Sequence, residues 1–155
     1  MRSLLVAVVA LFATFCSAIA SEGEVVLTLR NGDQTHEFTI EDLRNLGERE
    51  VVTETIWSDG EQRFVGVSLD RLMAEAGVSE GTLEAAAVND YAVEIPMSDA
   101  RPDGPIVAYM RNGKLMSLRD KGPLWVIYPY DSALEFRTEE VYSRSIWQLN
   151  RITVK

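Results

Sequence analysis

The run Leu124-Trp125-Val126-Ile127-Tyr128, set between Gly122-Pro123 and Pro129-Tyr130, constrains this chain more than any other stretch. A strand with one wet face alternates apolar and polar residues, whereas an unbroken apolar run needs cover on both faces. The run is too short for a helix, and Pro129 would stop one. It therefore predicts a strand that is dry on both sides, near the centre of the fold. Arg119 and Lys121 lie just before it, and Tyr130 and Asp131 just after it. Those residues are either the trim of a core strand or the wall of a pocket.

Around that strand the chain reads as short elements. Glu24 to Leu29 and Gln34 to Ile40 flank Asn31-Gly32, a hairpin signal. Thr39 reads as a helix N-cap with Asp42 as its reciprocal partner, and Gly47 ends that helix. Glu50 to Ile56 and Arg63 to Val67 read as strands separated by Ser58-Asp59-Gly60. Ser68 then caps a helix whose buried face is Leu69, Leu72, Met73 and Ala76, ended by Gly77. Thr82 to Val88 and Ala92 to Ile95 read as two strands meeting at a corner, Asn89-Asp90-Tyr91. Ser98 to Gly104 is a capped or single helical turn. Asn112-Gly113 marks a second hairpin, between Pro105–Met110 and Lys114–Leu118. Asp131 to Ser145 is polar and irregular, with one helical turn near Thr138, and Ile146 to Val154 is a final strand. Many short strands with two or three short helices indicate an α+β domain.

The N-terminus has its own pattern. Met1-Arg2 is a short positive start, Leu4 to Phe15 is apolar, and Ala18-Ile19-Ala20 is a small-x-small site before Ser21. This is the pattern of a secretory signal peptide, so residues 1–20 are expected to be removed and 21–155 to form one domain. The apolar run is short for a bilayer, so no membrane insertion is expected afterwards. Phe15 is too bulky a neighbour for Cys16 to serve as a lipid-attachment site. Cys16 is the chain's one cysteine and leaves with the signal, so residues 21–155 carry no disulfide, thiolate nucleophile or thiolate ligand. An exported domain without disulfides points to the periplasm. The formal charge is -9, which repels phosphate backbones and excludes nucleic acid as a partner.

Several segments, in order, resemble the molybdopterin-binding domain of the sulfite-oxidase family of oxidoreductases. Phe64-Val65-Gly66-Val67-Ser68-Leu69 is similar to its aromatic-x-Gly-Val-x-Leu strand-to-helix segment, and Asn89-Asp90-Tyr91 to its Asp-Gly-Tyr corner. Ala108-Tyr109 with Asn112-Gly113 resembles its Ala-Tyr-x-x-Asn-Gly hairpin. Gly122-Pro123-Leu124 with Pro129 resembles its Gly-x-Pro-Leu…Pro strand, and Trp147 and Ile152 its closing strand. The resemblance spans Val25 to Val154 and implies that family's fold, with mixed β-sheets and a few short helices. It implies molybdopterin as the cofactor. The family holds molybdenum through a Cys between the third strand and the aromatic-x-Gly-Val segment, and residues Thr53 to Gly60 contain none. A hydroxyl or carboxylate does not replace a soft thiolate. Trp125 and Ile146 stand where the family often carries basic residues, so positive charge that an anionic pterin phosphate would seek is gone. Met1-Arg2-Ser3 also lacks the paired arginines of the route that exports folded, cofactor-loaded proteins.

His36 shares a face with Phe38 and Ile40 and reads as structural, with no nucleophile or metal-ligand spacing around it. Glu135, Glu139 and Glu140 read as a solvated acidic face. The candidate ligand cleft comprises Asn89, Asp90, Tyr91, Arg119, Lys121, Tyr128 and Tyr130. Asx-turn chemistry would equally explain Asn89-Asp90, and surface ion pairs would equally explain Arg119 and Lys121. Tyr128, Tyr130 and Trp147 belong to the core by their bodies, with polar tips that need partners. The resulting expectation is a periplasmic, non-catalytic binding, accessory or sensory module with no catalytic residue, metal or resident cofactor. Its partner would be a small anionic ligand or a membrane-anchored protein. The alternative is a molybdopterin-dependent oxidoreductase with altered cofactor ligation.

Overall fold

The computed structural model describes residues 23–155, so the expected leader and Cys16 lie outside it. Ten strands and three short α-helices follow one another. The strands are β1 (Leu27–Asn31), β2 (Gln34–Phe38), β3 (Glu48–Glu54), β4 (Glu61–Ser68) and β5 (Thr82–Ala87). They continue with β6 (Ala92–Pro96), β7 (Ile106–Arg111), β8 (Lys114–Leu115), β9 (Leu124–Ile127) and β10 (Trp147–Val154). The helices are α1 (Ile40–Asn45), α2 (Leu69–Glu75) and α3 (Glu139–Arg144). Among the described residues no helix is long and apolar enough to cross a membrane.

The strands form one connected mixed sheet, where several were expected. Its main path is β2-β1-β10-β9-β7-β4-β3. β9 is the predicted dry strand: all four of its residues are buried, and β7 and β10 flank it, both antiparallel. β10 is the branch point. Leu149 pairs with Leu124 of β9 and Ala87 of β5, and Ile152 pairs with Leu29 of β1 and Ala85 of β5. Thus β9 and β1 follow each other along one edge of β10, while β5 takes the other. Only the β1–β10 pairing is parallel.

The local signals explain most elements. Asn112 and Gly113 both have positive φ, the type I′ pattern for which Asn-Gly is suited. In the first hairpin Asn31 remains in β1 and pairs with Gln34, so the loop is Gly32-Asp33, one residue later than expected. Only Gly32 has positive φ there, the II′ pattern with Gly in first place. At α1 the reciprocal Thr39–Asp42 capping box is formed. At α2, Ser68 occupies the N-cap position but its hydroxyl makes no capping bond. What holds α2 is its apolar face: Leu69, Leu72 and Met73 are fully buried, each contributing roughly 1.5–3 kcal/mol. β5 and β6 are an antiparallel hairpin with residues 88–91 as its loop, where a corner was expected. The turn near Thr138 is a full short helix, α3, whose N-terminus Thr138 caps by accepting from Val141 N.

Candidate functional site

The loop between β3 and β4 is shaped by hydroxyls. Thr55 Oγ1 and Ser58 Oγ share a 2.6 Å hydrogen bond, and Trp57 N donates to Thr55 Oγ1 at 3.2 Å. A second tie fixes the loop's base. The Asp131 carboxylate accepts from Thr53 Oγ1 at 2.8 Å and from Glu54 N at 2.7 Å, and pairs with Arg137. The Glu54 N–H, then the Thr53 hydroxyl, then Arg137 hold the Asp131 carboxyl below the usual range. The end of β3 is thereby fastened to the segment that leaves β9.

Held in this way, the Trp57 ring sits at the centre of an aromatic cluster. Its centroid lies 5.7 Å from Trp147, 5.9 Å from Trp125, 5.9 Å from Tyr142 and 6.4 Å from Tyr130, all tilted or edge-on. Such pairs contribute ~0.5–1.5 kcal/mol each beyond the area they bury. Trp125 is fully buried, donates from Nε1 to Ser145 O at 3.2 Å, and meets Phe64 edge-on at 5.4 Å.

Beside the cluster opens a cleft of about 340 Å³, lined chiefly by Trp57, Asn89, Tyr91, Tyr142, Trp147 and Gln148. Among the described residues, no carboxylate, amine or thiol stands in its lining. Gln148 builds one wall from a bulge in β10. It has φ 52°, its N donates to Lys121 O at 2.9 Å, and its Nε2 donates to Leu118 O at 2.8 Å. That fastens the turn carrying Arg119 and Lys121 to the cleft. The Lys121 ammonium lies 3.9 Å from the Trp147 ring centroid and 5.5 Å from that of Trp125. Cations are attracted to such ring faces.

The expected site residues therefore separate. Asn89 and Tyr91 line the cleft; Asn89 Oδ1 accepts from Tyr91 N at 3.2 Å, and Tyr91 is 60% exposed at the rim. Asp90, with φ 64°, turns away to Arg151 at 3.0 Å. Lys121 sits on the cluster, and Arg119 is exposed in the same turn. Tyr128 and Tyr130 are buried behind the cleft, not on its surface. The Tyr130 hydroxyl donates to Ser145 Oγ at 2.7 Å, and the Tyr128 hydroxyl donates to Asp99, which Arg144 also contacts. Burial raises both phenols far above their ordinary range, so neither serves as a base near neutral pH. His36 stacks on Phe38, and Glu135 and Glu140 are paired with Arg101 and Arg144. Trp57, Tyr142 and Gln148 were not anticipated. The segment Thr53 to Gly60 was singled out for the cysteine it lacks; within it Thr53 and Thr55 are buried, and Trp57 is half-buried and packs its ring against the core.

A sequence profile described as the oxidoreductase molybdopterin binding domain matches residues 24–134. The chain belongs to that family. The match ends before α3 and β10, which supply Tyr142, Trp147 and Gln148 to the cleft. A comparison with curated protein sequences finds no match. Among solved structures, the crystal structure of the sulfane dehydrogenase SoxCD from Paracoccus pantotrophus is similar, with a TM-score of 0.63 and 20% identity. The similarity covers 86% of this chain and 39% of that one, and at this identity it is a likeness of fold.

Membership implies a molybdopterin group, and the donors present can be set against it. Residues 23–155 contain no cysteine, and among them no three His, Cys, Asp or Glu side chains gather as a metal-binding group. Thr53 and Asp131 are committed to each other. This donor set does not fit a thiolate-bound molybdenum, which needs a soft sulfur ligand.

Proposed function

We propose that this domain is a binding module that keeps its family's fold without the family's metal chemistry. The observation that carries the reading is Trp57. The segment expected to present a thiolate instead packs an indole into a five-ring aromatic cluster, beside a cleft whose described lining holds no carboxylate, amine or thiol. A cleft of about 340 Å³ with convergent aromatic walls and a few polar groups has the size and character of a small-ligand site. The two phenols behind it are buried and hydrogen-bonded, part of the wall's support, and on this reading the module binds a ligand rather than transforms it. Its place is the periplasm, reached through the leader of residues 1–20. There it serves as an accessory or sensory component for a membrane-anchored partner. The leader's lack of paired arginines favours export of an unfolded chain, which cannot carry a cofactor with it.

The test is to purify the protein from its native periplasm and quantify molybdenum and released pterin per chain. Neither is expected in stoichiometric amount. Stoichiometric molybdenum would overturn the reading in favour of an oxidoreductase with altered ligation.

A further inference from the structure

The cleft's charge environment says what kind of ligand it takes, an inference that rests on the binding-module reading. The chain carries 24 acidic against 15 basic residues, yet among the described residues no Asp or Glu lines this cleft. Asp90, the nearest candidate by sequence, is drawn off to Arg151. Against the cluster stands one cation, Lys121, whose ammonium covers the Trp147 ring. Among the described residues neither Lys121 nor Arg119 pairs with a carboxylate. Asp120, between them, is engaged by the Ser117 hydroxyl at 2.7 Å. Gln148 ties the backbone of their turn to the cleft wall through two hydrogen bonds, which carries the Lys121 ammonium, on its flexible four-carbon stem, beside the lining residue Trp147.

We propose that the cleft binds a planar aromatic monoanion, its ring packed among Trp57, Tyr91 and Tyr142 and its charge turned toward Lys121. Aromatic faces alone would suit a cation equally well. Lys121 decides against one, because it already covers the Trp147 face and repels a second positive charge. A purely neutral ring would leave the tethered ammonium without a counter-charge. Charge-assisted hydrogen bonds are roughly twice as strong as neutral ones, which favours the anion.

Three probes of the same bicyclic shape separate these cases by calorimetric titration: indole-3-acetate, its neutral amide indole-3-acetamide, and the cation tryptamine. The acetate is expected to bind about tenfold more tightly than the amide, a ratio set by one charge-assisted bond, and tryptamine most weakly. Lys121→Met, which keeps the stem and removes the charge, should bring the acetate down to the amide's affinity and leave the amide unchanged. Tyr91→Ala, at the exposed rim, should weaken all three probes. Equal or tighter binding of the amide or of tryptamine, or no binding of any probe, overturns the proposal. The wild-type comparison needs no variant to fold. An outcome against the anion leaves the metal-free reading standing, and that reading is tested separately by the molybdenum and pterin content.

Discussion

Trp57 and Trp125 divide between them what a residue-level reading could and could not supply. Trp125 was legible because it lies in an unbroken apolar run, and such a run has to be covered on both sides. Trp57 follows Ile56 and precedes Ser58-Asp59-Gly60, a loop context that gives no sign of which way the indole points. Its direction is set by Thr55 and Ser58 locally, and by Asp131 from the far side of the sheet. Asp131 is therefore the residue on which to test the local account. Replacing it with Asn should lower stability by about 1–2 kcal/mol, the scale of losing charge-assisted bonds at a partly exposed site. Its carboxyl is held below the ordinary value, so the contribution is complete above about pH 4 and is lost as pH falls through the lower folded value. Urea midpoints of wild type and Asp131→Asn should differ at pH 6 and converge as the pH is lowered toward 3. A gap that stays constant with pH would show that the carboxylate's hydrogen bonds are not its source.

At the scale of elements, local chemistry was informative wherever a single turn or cap decided the outcome. Asn112-Gly113 and the Thr39–Asp42 box are both formed as their residues require. The first hairpin slipped by one residue because Gly32 takes the first turn position of a II′ loop, an alternative that Asn31-Gly32 does not itself exclude. β10 reads as an ordinary last strand, since nothing local tells that three strands will pair with it. One close approach between elements makes a firm prediction. A Cβ at Gly66 of β4 would lie 2.1 Å from Val107 O and 2.6 Å from Ala108 Cα, backbone atoms of β7 that cannot rotate away. The register of β4 on β7 shifts beside it, between Val65 and Gly66. Gly66→Ala should destabilise the domain by about 1–3 kcal/mol or more through overpacking, seen as a lower urea midpoint. An unchanged midpoint would mean that the two strands are not packed so closely.

For the whole molecule, the fold carries over from the family, and the proposed loss of its chemistry at one cleft is a separate matter, since a fold by itself never fixes a function. Four of the five segments lie within the matched residues 24–134, and they could be read in order because each belongs to a strand or turn with strong local constraints. The cleft could not be read as a unit, because its walls come from the β3–β4 loop, the 88–91 turn, α3 and the bulge of β10. Only the folded sheet brings those pieces together. If the assembled site takes no molybdopterin, as we propose, the protein's stability is the same whether or not its host makes that group. A group that binds only the native form, present at a thousandfold its Kd, stabilises by about 4 kcal/mol, a rise of roughly 10–20 °C in Tm. The protein should be purified from two hosts, one that makes molybdopterin and one that cannot, and their melting curves compared. Coincident curves are the predicted result; a Tm several degrees higher in the protein from the cofactor-producing host would contradict the account.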